Sequence, residues 1–242
     1  MERTNLFLLC LILFISAQSS VVSQSPIFIL GAFIISIIIF FSRSLVLDKF
    51  YIIFTLGYFI LSIQYFFIFD YVDTLYIVYF YVLLTYAYLT IKILKYDFFK
   101  IFHQVVYILA FISLPFFTLQ IINYEFTFSL VGIIQNSFSF LEFNNDVFAN
   151  NLFFSIESDG AMYRNSGFAW EPKGFANFLI LAIIINSVMY DFKINKKMII
   201  LIIALITTFS TVGYIILFTS FAGFLFINNK IKIYYAVIAF IV

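Results

Sequence analysis

Residues 163–177, YRNSGFAWEPKGFAN, crowd together the side chains in this sequence that are best suited to chemistry. Arg164 offers a planar guanidinium that can grip a phosphate through two hydrogen bonds at once. Lys173 adds a second cation. Glu171 supplies a carboxylate that can take up a proton or orient a partner. Gly167 and Gly174 permit tight turns or the close approach of a ligand, and Trp170 sits between them. From their types alone, the chemistry these residues suit is contact with a phosphate group beside a membrane surface. The structural alternative is an interfacial ion pair between Arg164 and Glu171, with Trp170 as an aromatic anchor at a membrane surface.

The elements that must position these residues follow from the local pattern. Pro172 suits the first turn of a helix, where its missing N–H is no loss. That places Glu171 at or next to the N-cap, where its carboxylate can meet unpaired backbone N–H groups and the positive helix end. Phe175, Phe178, Ala182 and Asn186 then share one face of that helix, and Glu171 stands at its outer mouth.

Hydrophobic residues make up 64% of the chain and charged residues only 10%, with a mean hydropathy of +1.11. Soluble domains carry about 25% charged residues. A soluble fold cannot hide this much apolar surface, so lipid is the expected solvent. The apolar runs do not alternate and reach spanning length, which predicts helices and not barrel strands. The expected fold is all-α: a polytopic membrane helical bundle of about seven to nine spans with one long extracytoplasmic loop. The net charge of +1 gives no basic surface for nucleic acid. The single cysteine, Cys10, has no partner for an intramolecular disulfide, and no Cys/His cluster suggests a metal.

Five spans are expected in an N-terminal membrane domain, residues 1–122, at 6–22, 27–41, 50–69, 74–91 and 104–122. The first run reads as a retained helix, with a cleaved signal peptide ending near Ala17 as the alternative. Residues 123–173 form the loop. Within it, 126–134 and 147–156 are short apolar stretches expected as half-helices along the membrane surface, while 144–146 and 150–151 read as turns. The membrane domain resumes over 174–242, beginning with a span at 174–190. Residues 198–227 would make a straight helix of about 45 Å, longer than a hydrocarbon core of about 30 Å. This run must tilt or break, and Thr207, Thr208, Ser210, Thr211 and Gly213 lie at its middle. A last apolar run covers 233–242.

Lys and Arg counts fix the expected orientation. With the N-terminus in the cytoplasm, Arg3, Arg43, Lys49, Lys92, Lys95, Lys100, Lys193, Lys196 and Lys197 all lie inside, nine of the thirteen basic residues. Arg164 and Lys173 lie outside. His103, the lone histidine, is expected on the cytoplasmic side as an interfacial residue. Mid-span positions hold no Asp, Glu, Lys or Arg, which disfavours an ion-coupled transporter or flippase. A non-catalytic scaffold would need none of the central residues.

The run Arg-Asn-Ser-Gly-Phe-Ala-Trp-Glu-Pro-Lys-Gly-Phe-Ala-Asn-Phe-Leu from Arg164 resembles a segment of the O-antigen polymerases and the related O-antigen ligases. These are bacterial membrane proteins that build surface polysaccharide. The stretch Leu205-Ile206-Thr207-Thr208-Phe209-Ser210-Thr211-Val212-Gly213-Tyr214 is similar to the small-polar break that follows in that family. The resemblance implies a metal-independent glycosyltransferase of the bacterial inner membrane with no cofactor. A polymerase would move glycan from undecaprenyl pyrophosphate to a lipid-linked repeat unit on the outer face. A ligase would deliver finished polymer to a lipid A core. On this reading Arg164 and Glu171 are catalytic, while Lys173, Gly167, Trp170 and Gly174 bind substrate. The partners would be the undecaprenyl-pyrophosphate-linked oligosaccharide and the bilayer, with chain-length regulator and flippase proteins nearby. Family members usually carry more spans and a second external loop, so a chain shortened at its C-terminus is expected here.

Overall fold

The computed structural model describes residues 26–69, 74–137, 148–151, 153–157, 163–191 and 193–227. The expected runs at 6–22 and 233–242 and the turn at 144–146 lie outside the described residues. So do Cys10, Arg3, Lys230 and Lys232. Among the described residues the architecture is helical, with eight helices and one two-stranded ribbon. They fall into two compact units, one ending at Ile101 and one beginning at Phe102.

The first unit is built from α1 (Pro26–Ser42), α2 (Lys49–Phe69) and α3 (Thr74–Leu94). Ile29, Ala32, Ser36 and Phe40 are buried along α1, a spacing of three to four residues that makes one helical face. Tyr86, Leu89, Thr90 and Ile93 of α3 are buried likewise. Phe40, Leu89 and Ile93 form one apolar cluster, and Ile29, Ala32 and Tyr86 another. α2 meets α3 through aromatic and hydroxyl contacts. Tyr51 stacks on Tyr88 at 4.0 Å between ring centroids, its hydroxyl lies 2.7 Å from Thr85 Oγ1, and the Tyr81 hydroxyl donates to the Thr55 carbonyl at 3.2 Å. At the end of this ladder Lys92 Nζ meets Asp48 Oδ1 at 2.8 Å. The Lys92 hydrogen bond holds the Asp48 carboxyl below its ordinary value.

α4 (Asp97–Ile122) contains Pro115, which lacks an N–H and leaves the Phe111 carbonyl without its helical donor. The second unit continues with α5 (Tyr124–Ser137), β1 (Phe148–Asn150), β2 (Ser155–Glu157), α6 (Pro172–Met189), α7 (Lys196–Thr207) and α8 (Thr211–Ile227). Phe117 of α4, Val131 of α5 and Ala149, Phe154 and Ile156 of the ribbon form one buried cluster. α6 packs against both α7 and α8. Gly213 makes the second contact close: a Cβ there would lie 3.1 Å from the Ala176 Cβ.

Three helices are long and apolar enough to cross a membrane, at Ile77–Leu94, Asp97–Ile122 and Pro172–Met189. Their exposed positions are apolar too, among them Ile108, Phe111 and Ile121 on α4 and Leu181, Ile184 and Val188 on α6. Apolar side chains on both the buried and the exposed faces mark helices that suit lipid and not water.

Three local expectations change. α4 begins at Asp97, seven residues before the expected start at 104. Its acidic first residue favours the positive helix end, whereas an apolar run marks only the part that suits lipid. The described residues of 147–156 do not form a half-helix. Phe148–Asn150 and Ser155–Glu157 pair antiparallel, with Ala149 opposite Ile156. Asn151 turns the chain: its Oδ1 accepts the N–H groups of Phe153 and Phe154, both at 2.7 Å. That side-chain turn competes with helix formation. The other short stretch is helical and longer than expected, as α5.

Candidate functional site

The centre of the 163–177 stretch is buried and its two edges are exposed. Asn165, Ser166, Phe168 and Ala169 lie within the protein, whereas Tyr163, Arg164, Glu171 and Lys173 face outward and Trp170 is half-buried. A buried loop needs partners for its backbone, and these are present. The Asn165 N–H donates to the Thr207 carbonyl at 2.9 Å, Ser155 N–H donates to the Gly167 carbonyl at 2.8 Å, and Ala169 N–H donates to the Ser166 carbonyl at 3.0 Å.

Asn165 is the hub. Its amide Nδ2 donates to Ser113 Oγ on α4 at 3.0 Å and to Thr207 Oγ1 on α7 at 2.9 Å. Its Oδ1 accepts the Gly167 N–H at 3.0 Å, which bends the chain into Gly167. That glycine has φ of +50°, a left-handed conformation that glycine adopts at little cost. A Cβ at Gly167 would lie 2.6 Å from the Phe175 ring. The space beside its Cα is therefore occupied by α6. Phe175 also packs edge-on to Phe168 at 5.7 Å. Gly174 has ordinary clearance from Ala169, 3.4 Å from a built Cβ.

Glu171 is the N-cap of α6 with extended backbone, and Pro172 follows it in the first turn. The Glu171 carbonyl accepts the Phe175 N–H at 3.1 Å. Its carboxylate makes no capping hydrogen bond, contrary to the capping role expected for it. The side chain is exposed and not used by the helix. Lys173 lies in the same first turn, where a cation opposes the helix dipole. Phe175, Ala182 and Asn186 are fully buried on the face that runs down from Glu171, with Phe178 half-buried among them.

The long apolar run 198–227 is interrupted. Thr208 caps the end of α7, and Phe209 takes a φ of +49°. The Ser210 hydroxyl then accepts the Gly213 N–H at 3.2 Å and starts α8. Thr208 Oγ1 donates to the Leu205 carbonyl at 2.7 Å and accepts the Ser210 N–H at 3.3 Å. Hydroxyl side chains thus satisfy the backbone groups that the break exposes.

His103 is buried within the protein, 2% exposed. It lies beside Asn186, whose Oδ1 accepts the Asn195 Nδ2 at 3.2 Å. Lys197 Nζ sits 5.5 Å over the Tyr107 ring. These residues join α4, α6 and the start of α7. Among the described residues no three His, Cys, Asp or Glu side chains group as metal ligands.

The sequence singled out Arg164, Gly167, Trp170, Glu171, Lys173 and Gly174 and missed Asn165, the hub. Asn165 carries no local signal, because its partners Ser113 and Thr207 lie 52 and 42 positions away in the chain. Comparison of the chain with protein-family models, with curated proteins and with solved structures finds no significant match.

Proposed function

We propose that this chain is a glycosyltransferase of the O-antigen polymerase type, working on the outer face of a bacterial cytoplasmic membrane. It would transfer a growing glycan from undecaprenyl pyrophosphate to a sugar hydroxyl of the next lipid-linked repeat unit. The observation that carries this reading is the contact between the two stretches on which the resemblance rests. Asn165 of the first binds Thr207 of the second through both backbone and side chain. Two distant sequence motifs that meet in space are expected of one site.

The chemistry asks for two things. Charge growing on the departing pyrophosphate must be stabilised, and the acceptor hydroxyl must lose its proton. Arg164 serves the first, aided by Lys173. Both are exposed and flank a buried, hydrogen-bonded turn that fixes their backbone. An anion near Lys173 would also meet the N-terminus of α6. Glu171 serves the second task or orients the acceptor. Its carboxylate is exposed and engaged in no helix cap, which leaves it available.

The wider topology belongs to the same proposal. The three helices of spanning length are joined by shorter apolar ones at Phe28–Ser42, Lys49–Gln64 and Thr211–Ala222. Seven to nine crossings, with lysine-rich turns inside and the 123–173 segment outside, belong to this reading.

Deleting the full-length gene in its host and sizing the surface glycan on a gel tests the reading. Loss of long chains, with a single repeat unit still attached to its anchor, is the expected result. An unchanged ladder removes the proposal. Loss of all glycan from the lipid A core, with long polymer retained on its lipid carrier, identifies a ligase instead.

A further inference from the structure

Asn165 is fully buried, and every polar atom of its side chain is engaged: two amide protons donate to Ser113 and Thr207, and the carbonyl accepts from Gly167. The two hydroxyls do not depend on it. Ser113 Oγ donates to the Ala110 carbonyl at 2.8 Å, and Thr207 Oγ1 donates to the Ala204 carbonyl at 2.7 Å. Each helix therefore satisfies its own hydroxyl proton without the loop. The loop is in the opposite position. Without Asn165 the Gly167 N–H loses the acceptor it has here, and the turn that carries Arg164 and leads to Glu171 loses the side-chain hydrogen bonds that Asn165 makes to α4 and α7.

From this asymmetry we infer that Asn165 is the positioning residue of the site: a buried amide that clamps residues 163–171 onto α4 and onto the end of α7, holding Arg164 in register. The inference rests on the transferase reading for what Arg164 does, and on geometry alone for the clamp. Two interruptions flank the attachment points, Pro115 two residues after Ser113 and the Thr208–Ser210 break directly after Thr207. The amide thus joins the loop to the turn of each helix whose backbone ladder is weakest.

The test compares Asn165→Ala, Thr207→Val and Thr207→Ser in the full-length protein. Thr207→Val keeps the carbonyl that accepts the Asn165 N–H and removes only the hydroxyl, while Thr207→Ser restores it. Each variant carries a nitroxide spin label on Tyr163→Cys, in a background with Cys10→Ser and every other native cysteine replaced. Transfer is assayed with undecaprenyl-pyrophosphate-linked repeat unit extracted from the deletion host. The label is expected to be immobile in the parent and in Thr207→Ser, and released in Asn165→Ala and Thr207→Val. Turnover should fall about 100-fold in the two released variants at near-constant KM, the scale of a 1 Å misplacement, with insertion and melting temperature close to the parent. Thr207→Ser should restore turnover. A label that stays immobile in Asn165→Ala overturns the clamp. So does a released label with undiminished turnover, or a loss that follows melting temperature alone. If the parent shows no transfer but the label releases as described, the clamp stands and the transferase reading falls.

Discussion

At the scale of single residues, the site separates into groups that meet solvent and groups that hold them. Arg164 and Glu171 belong to the first kind. Arg164→Ala and Glu171→Ala are each expected to abolish polymer formation while the protein inserts and melts as the parent does. Polymer of parental length from either variant would remove that residue from the site. Gly167 belongs to the second kind. Gly167→Ala forces a side chain into a left-handed backbone and against the Phe175 ring, and is expected to destabilise by about 1–3 kcal/mol. A detergent-phase melt within one degree of the parent would contradict that. The glycine itself was legible as a turn. What makes it necessary was not, because the ring it faces belongs to the following helix. Asn165 was less legible still. An asparagine in a polar stretch carries no mark of burial, and its partners appear only when α4 and α7 are brought to it.

At the scale of elements, the apolar runs gave the helices between residues 26 and 227 with ends close to those observed, since a lipid-facing helix needs little beyond length and hydrophobicity. The errors came where another signal outweighed hydrophobicity. Asn151 bends residues 148–157 into a ribbon, and Asp97 starts α4 ahead of its apolar run. The break at Thr208–Ser210 was legible as a cluster of small polar residues, because a run too long for the bilayer must find partners for its backbone somewhere. Phe209 is the costly residue there. It is exposed, and it holds a positive φ at the end of α7, where glycine is the usual occupant. Phe209→Gly is expected to stabilise the protein by about 1 kcal/mol, the cost of a left-handed conformation for a residue with a Cβ. A lower melting temperature for this variant would mean that the Phe209 ring contributes more than its backbone costs.

At the scale of the whole molecule, each unit has its own means of cohesion. In the first, a tyrosine ladder ends in the Asp48–Lys92 pair. The Asp48 carboxyl is held below its ordinary value of 3.8, chiefly by the Lys92 hydrogen bond. A depressed carboxylate contributes stability that is present above the unfolded value and is lost as pH falls through the lower folded value. The parent should therefore exceed Asp48→Asn in melting temperature at neutral pH, by a small margin because the pair is exposed. That margin should close below about pH 3.8, starting from the unfolded carboxylate value. A margin that persists in acid would assign the effect to packing.

In the second unit one contact ties the ribbon to the site. Two strands of three residues are too short to persist alone in water, and β2, besides pairing with β1, donates its Ser155 N–H to the Gly167 carbonyl. The ribbon and the Arg164 loop are therefore expected to order together as one cooperative unit. In native-state hydrogen exchange the amides of Ser155, Asn165 and Gly167 should open in a single event with a common opening free energy. Ser155 exchanging well ahead of the other two would show the ribbon opening independently. A shared opening would make the 163–171 loop and the strand it bonds a single all-or-none cover over the Ser113 and Thr207 turns, which both lose their Asn165 partner at once.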